Sequence, residues 1–380
     1  MTSAASPRLL LLYSDTGGGH RSAAEALAEA LQRRAGGRIR LALVDFLKDY
    51  APFPYRRLPA WYPHMVRFPR LWALGYRLTN SPRRLRPIHA LTRRHTRRAS
   101  LRLLQDHPAD LIVSLHPLAN DPAARALARV PPARRPPLTV VVTDLVSTHA
   151  FWHHPAADLT LVPTEPARQR ALACGLNPER IQVHGLPVSR KFTQPQADPE
   201  PLRRALGWCT DRPTILLIGG GDGMGPLART AAAIDQAGFH AGLAIVTGRN
   251  QKLRRKLEAR NWQIPAFVYG FVHNMPDLMR AAHILVTKAG PGTISEALIA
   301  GLPILLYARL PGQESGNVDW LTQNGAGIWA ATPAAITAAI RRWLDNPAAH
   351  QQAAANARRL ARPNAADEIA SVLLTFTKVS

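Results

Sequence analysis

Twice along this chain a short aliphatic run leads into three consecutive glycines and then into a helical pattern. Residues 9–13 precede Gly17, Gly18 and Gly19; residues 214–218 precede Gly219, Gly220 and Gly221, with Gly223 and Gly225 close behind. An unbroken apolar run of this length, closed by turn residues, is what a strand buried on both faces requires. Behind the first loop, Ala23, Ala26, Leu27, Ala30 and Leu31 recur at helical spacing. Further strands are expected at 39–44, 111–115, 139–142, 158–162 and 180–183, and in the second half at 242–246, 266–269, 284–287 and 303–307, with helices between. Such alternation implies parallel pairing. The fold expected is α/β, two doubly wound Rossmann-like domains facing a cleft. Prolines 187, 195, 199 and 201 mark a linker, giving an N-terminal domain over 1–190 and a C-terminal one over 191–355. A last helical stretch, 356–380, is expected to pack back towards the first domain.

Composition narrows the setting. The 380 residues carry a net charge of +23, which attracts polyanions such as nucleic acid, an anionic bilayer or phosphorylated ligands. Cys174 and Cys209 stand far apart with no metal-ligand spacing, so neither a disulfide nor a thiolate site is expected. The apolar run at 9–13 is too short for a signal-peptide core, and no run reaches the roughly 20 residues of a membrane span. The expectation is a peripheral protein at the cytoplasmic face of a membrane.

Residues 51–105 break the strand–helix pattern. They hold thirteen arginines and no Asp, Glu or Lys. Between 61 and 78 apolar residues return at three- and four-residue steps, as on one helical face. Arg56, Arg57, Trp61, Arg67, Phe68, Arg70, Trp72, Arg83 and Arg84 are the residues expected to enter a headgroup layer.

Residues 287–317 point most directly to chemistry. Gly290 and Gly292 break a strand pattern and open a helix carrying Glu296. Such a turn aims unpaired N–H groups at one point beside the positive end of a helix, where a diphosphate binds well. Gln313, Glu314 and Asn317 then supply amides and a carboxylate for hydroxyl groups. A phosphate cradle followed by a hydroxyl reader suggests a nucleotide-sugar site.

Several ordered motifs together resemble the monogalactosyldiacylglycerol synthases and the bacterial processive diacylglycerol glucosyltransferases. They are Asp15-Thr-Gly-Gly-Gly-His-Arg21, Val141-Val-Thr-Asp-Leu145 with His149, Trp152 and His154, Gly185-Leu-Pro187, Gly219-Gly-Gly-Asp-Gly-Met-Gly-Pro226, Gly270-Phe271 with Asn274-Met275, and the whole of 287–317. The resemblance implies a GT-B glycosyltransferase that moves galactose or glucose, with inversion, from a UDP-sugar to diacylglycerol at an anionic membrane. It implies no cofactor beyond the donor, no essential metal and no nucleic-acid partner. It also points to His20 as the base, with Asp144 as the alternative base or the group that orients it. Gly17, Gly18, Gly19 and His149 fall to the acceptor. Gly219, Gly220, Gly221 and Gly223 approach the diphosphate, together with Gly290, Pro291, Gly292 and Thr293. Phe271 and Val272 fall to the uracil, Glu296 to the ribose, and Gln313 and Glu314, followed by Asn317, to the hexose. Three other readings are an N-acetylglucosaminyltransferase acting on a lipid-linked peptidoglycan precursor, a UDP-sugar epimerase, and a nucleic-acid-binding protein.

Overall fold

The computed structural model describes residues 6–194, 198–223 and 225–377. Pro195 of the expected linker and Met224 of the second glycine loop lie outside them. The chain divides into two compact units. Unit 1 comprises 1–190, 311–313 and 364–380, and unit 2 comprises 191–310 and 314–363.

Unit 1 is built on six parallel strands: β1 (Arg8–Tyr13), β2 (Arg40–Asp45), β3 (Leu111–Ser114), β4 (Leu138–Val141), β5 (Leu159–Val162) and β6 (Ile181–Val183), in the order β2-β1-β3-β4-β5-β6. Because strand side chains alternate, Leu9 and Leu11 enter one core, with the helix Gly19–Ala35 and the C-terminal helix Ala365–Thr375. Leu10 and Leu12 enter the other, with Phe46, Leu103 and Leu127. That two-sided burial is why β1 reads as an unbroken aliphatic run. The C-terminal helix is held by Ile369 and Leu373, both fully buried, and by an Arg33–Asp367 ion pair.

Unit 2 repeats the plan with β7 (Thr214–Ile218), β8 (Gly242–Val246), β9 (Ala266–Tyr269), β10 (Ile284–Lys288), β11 (Ile304–Ala308) and β12 (Gly327–Trp329), in the order β12-β11-β10-β7-β8-β9. In both sheets the order reverses beside the first strand, between β1 and β3 and between β7 and β10. Crevices form at the carboxyl ends of strands at such points.

Three features depart from the sequence reading. β12 is an edge strand of three residues, too short to show a periodicity. Pro199 opens the helix Pro199–Ala205 at its first turn, where a missing N–H costs nothing, so the expected linker ends there. The apolar face over 61–78 is divided between two helices, Leu58–Met65 and Pro69–Thr79, with Pro69 starting the second.

Candidate active site

In unit 1 the loop after β1 is fixed from beneath by Asp45, which accepts from Ser14 Oγ at 2.5 Å and from the Asp15 N–H at 3.1 Å. The turn then needs positive φ at Gly17 (80°) and Gly18 (87°), and a Cβ on Gly17 would sit 3.2 Å from the Tyr62 ring. This delivers His20, in the first turn of the helix Gly19–Ala35, to the end of the sheet. Its Nδ1 lies 2.6 Å from Thr143 Oγ1. Although partly exposed, the imidazole is desolvated by the protein around it, which pushes its pKa down to about 4 against the pull of the Leu115 carbonyl. It is neutral at pH 7.

The partner of His20 Nδ1 is Thr143, the neighbour of Asp144. The buried Asp144 carboxylate accepts from Trp152 Nε1 at 2.7 Å and from Gln313 Nε2 at 3.2 Å. His149 takes the Phe151 N–H on Nδ1 and faces Thr79 Oγ1 with Nε2 at 3.1 Å, so both ring nitrogens are engaged. His116, unmarked in the sequence reading, packs edge-on against His20 with ring centres 4.8 Å apart. Its Nδ1 accepts from the Leu118 N–H, leaving Nε2 to face Thr16 Oγ1 at 3.3 Å. Burial, with His20 beside it, holds His116 neutral.

His20, His116, Asp144, His149 and Gln313 border a cavity of about 790 Å³ whose remaining walls are largely apolar, with Trp61, Tyr62, Phe68, Leu71 and Trp72 among them. The Trp72 N–H is buried there with no partner among the described residues. Among those residues, eleven large hydrophobics are exposed, and eight of them fall between Phe53 and Leu91, so exposed apolar side chains concentrate in this one segment. Arg56, Arg57, Trp61, Arg67, Phe68, Arg70, Arg83 and Arg84 are all exposed in it. Trp72 departs from expectation: it is half-buried and turned into the cavity, not outward.

Unit 2 gathers the glycine loops at the carboxyl ends of β7 and β10. A Cβ on Gly223 would lie 2.4 Å from the Thr247 carbonyl, and one on Gly219 would lie 2.8 Å from Gly223 Cα. Backbone therefore packs on backbone. Gly292, by contrast, has open space around it. We expect Gly223→Ala, also strained at φ 60°, to lower stability by roughly 2–4 kcal/mol in denaturant titration. Gly292→Ala should leave stability within about 1 kcal/mol of the parent, since alanine suits a helix better than glycine.

Lys288, at the end of β10, is the residue the sequence reading passed over. Its Nζ would be 2.8 Å from a Cβ on Gly290, and its Cε 3.1 Å from one on Gly220, so a cation stands between both glycine loops. Glu314 fixes that amine at 2.7 Å and takes the Leu310 N–H at 2.8 Å. The buried Glu314 carboxylate is thus engaged twice from within the protein. Asn317 donates to the Ala289 carbonyl at 2.9 Å, and its buried Oδ1 has no partner among the described residues. Glu296 has no hydrogen bond or ion pair among them, and desolvation pushes its carboxyl up to about 8. Phe271 is exposed, with the Arg249 guanidinium 5.4 Å over its ring, and Val272 is half-buried beside it. Gln313 belongs to unit 1, where it donates to Asp144.

Among the described residues, one group has metal-ligand geometry: His89, Asp121 and His154. Asp121 Oδ1 is already paired with Arg125 Nε at 3.0 Å. His149 and His153 are not part of the group. His153 Nε2 instead faces Thr148 Oγ1 at 2.9 Å.

Residues 20–188 match the family model of monogalactosyldiacylglycerol (MGDG) synthase, and 214–369 match the glycosyltransferase family 28 C-terminal domain. Monogalactosyldiacylglycerol synthase 1, chloroplastic, of Arabidopsis thaliana is 37% identical over 372 residues, which are 95% of this chain and 69% of that protein. The chloroplastic synthase of Spinacia oleracea is 37% identical over 371 residues, 95% and 71% of the two chains. Among solved structures, MurG of Acinetobacter baumannii aligns with a TM-score of 0.60 and 15% identity over 97% of this chain and all of that one. HepE of Anabaena in complex with UDP and glucose gives 0.58 and 16%, with the same coverage. These likenesses show the fold, which is of the GT-B type.

Proposed function

From the premise that this chain belongs to the monogalactosyldiacylglycerol synthase family, and is a glycosyltransferase, we propose that it transfers galactose from UDP-galactose to diacylglycerol at an anionic membrane surface. The observation that carries the reading is the apolar cavity of unit 1, walled in part by the exposed Trp61, Phe68 and Leu71 and bordered by a neutral His20, in a segment whose arginines are exposed. Such walls suit acyl chains, and the partnerless Trp72 N–H suits an ester carbonyl.

The chemistry follows from that placement. A His20 ring nitrogen takes the proton of the diacylglycerol hydroxyl as its oxygen attacks the anomeric carbon. The bond from that carbon to the diphosphate breaks, and UDP leaves with the electron pair. A single displacement inverts the anomeric centre. Lys288 and the N–H groups of the two glycine loops take up the charge developing on UDP, which is work a metal ion does elsewhere. No essential metal and no cofactor are proposed. The Glu296 carboxylate accepts from the ribose hydroxyls. Phe271, beside Val272, offers a face to the uracil, and Asn317 offers its free oxygen to the hexose.

The test is to incubate the purified chain with UDP-galactose or UDP-glucose and vesicles of dioleoylglycerol and phosphatidylglycerol, then to analyse the lipids. Monogalactosyldiacylglycerol should form together with UDP. Hydrolysis or epimerisation of the donor without a glycolipid product overturns the proposal. In the same vesicles Leu74→Ser/Leu78→Ser, at exposed apolar positions that do not line the cavity, should weaken association by about tenfold or more, since each buried side chain contributes roughly 1.5–3 kcal/mol. Turnover of a dispersed short-chain acceptor should persist. Unchanged sedimentation with vesicles would exclude this face from docking.

A further inference from the structure

A second recess lies apart from the acceptor cavity. It is a pocket of about 430 Å³ between the helix Pro82–Asp106 and the end of the helix Pro117–Leu127, and four of its lining residues are Arg93, Arg97, Arg125 and Arg129. No carboxylate lines it. Of the four arginines only Arg125 has an acidic partner among the described residues, Asp121, in an ion pair with its Nε at 3.0 Å. Arg125 Nη2 donates to the His89 carbonyl at 2.8 Å, and this bond together with the ion pair restrains the guanidinium. Its Nη1 remains buried with no acceptor among the described residues, a desolvated, charge-assisted donor left unused.

A solvated basic face accounts for arginines that point away from one another into water. It does not account for arginines from two helices lining one recess, where like charges repel. A helix C-terminus attracts cations, which covers Arg125 and Arg129 but not Arg93 and Arg97, from the middle of the other helix. The hydroxyls of Thr96 and Ser100 are already spent on carbonyls of their own helix, so the recognition left is that of guanidinium groups alone.

We propose that this pocket binds a phosphate group, carried by a lipid headgroup or free in solution. The planar fork of arginine matches phosphate oxygens in pairs, and a recess lined by several arginines suits a single phosphate better than a continuous nucleic-acid backbone. The site stands whether or not the chain transfers a hexose.

The experiment compares the whole chain with Arg93→Gln/Arg97→Gln/Arg129→Gln and with Arg94→Gln/Arg98→Gln/Arg102→Gln. The second variant removes the same charge from the same helix region without touching the pocket. Arg125 is kept because it is tied to Asp121. Inorganic phosphate is titrated calorimetrically, and sedimentation is measured with phosphatidylcholine vesicles with and without dioleoylphosphatidate. The pocket variant should bind phosphate about tenfold more weakly or worse, with the control close to the parent. Loss confined to phosphatidate vesicles identifies the headgroup as the source, and loss with inorganic phosphate shows that the free ion suffices. Equal behaviour of the two variants in both assays overturns the site. Thermal unfolding by circular dichroism confirms that both fold, and Arg97→Gln alone, at an exposed position, repeats the test with a smaller perturbation.

Discussion

Replacing His20 by alanine is expected to lower the turnover of hexose transfer by about a thousandfold, within the range a positioned base supplies, while the dissociation constant for UDP stays unchanged. The split matters because His20 lies in unit 1, on the acceptor cavity, whereas the glycine loops and Glu296 lie in unit 2. A ring that only capped its helix would affect stability and leave the remaining activity of the folded protein intact. The pH dependence is the second readout. Desolvation holds the imidazole at about 4, so its base form persists far below the ordinary range near 6.5. The acidic limb of the rate profile should therefore fall near pH 4. A limb near 6.5 would show an ordinary exposed histidine in the role. The same shift has a sign for stability. Between about pH 6.5 and 4 the unfolded chain binds a proton that the folded chain refuses, so stability falls as pH drops through that window. His20→Ala should remove that part of the acid sensitivity. Loss of UDP affinity instead of turnover would move His20 out of catalysis.

How much of this was legible in the residues follows their physics. β1 and β7 were, because a strand buried on both faces leaves an aliphatic run that little else produces. So were the glycine loops, since backbone lies on backbone at Gly219 and Gly223 and no side chain fits there. β12 was not, being three residues at a sheet edge with only one neighbouring strand. The cavity was legible in composition but not in shape. Trp72 and Phe68 share one apolar stripe and both line the cavity, and nothing in that periodicity says that Trp72 is half-buried while Phe68 stays exposed. Thr143 and His116 were hidden because the sheet brings them to His20 from 123 and 96 residues away in sequence. Lys288 could have been found: a lysine two residues before the glycine turn it would serve is a local signal, and it was read only as part of a motif. Gln313 and Glu314 are adjacent in sequence yet belong to different units, a division that no local pattern marks.

Glu296 yields the second large effect. Its carboxyl stands one turn into the helix that follows the β10 loop, desolvated and without a partner among the described residues, with its pKa pushed up to about 8. At pH 7 it therefore keeps its proton while the site is empty. A ribose offers two adjacent hydroxyl donors, and accepting both favours the carboxylate over the acid. Nucleotide binding should then expel a proton. Calorimetry between about pH 6 and 7.5 should give a binding enthalpy that depends on the ionisation heat of the buffer, and affinity should rise with pH until the carboxyl ionises unaided near 8. Uridine, which carries the ribose without the diphosphate, should release the same proton, and this separates the carboxyl from any phosphate titration. Glu296→Gln should abolish the release and weaken UDP binding by roughly tenfold to a hundredfold, the worth of hydrogen bonds to a charged acceptor. Its effect on stability runs the other way. The folded parent binds a proton the unfolded chain has lost between about pH 4.5 and 8, so its stability declines across that window as pH rises, and the glutamine variant should not share the decline. Binding with no proton released at pH 7, by parent and variant alike, would show that the ribose is held by other groups.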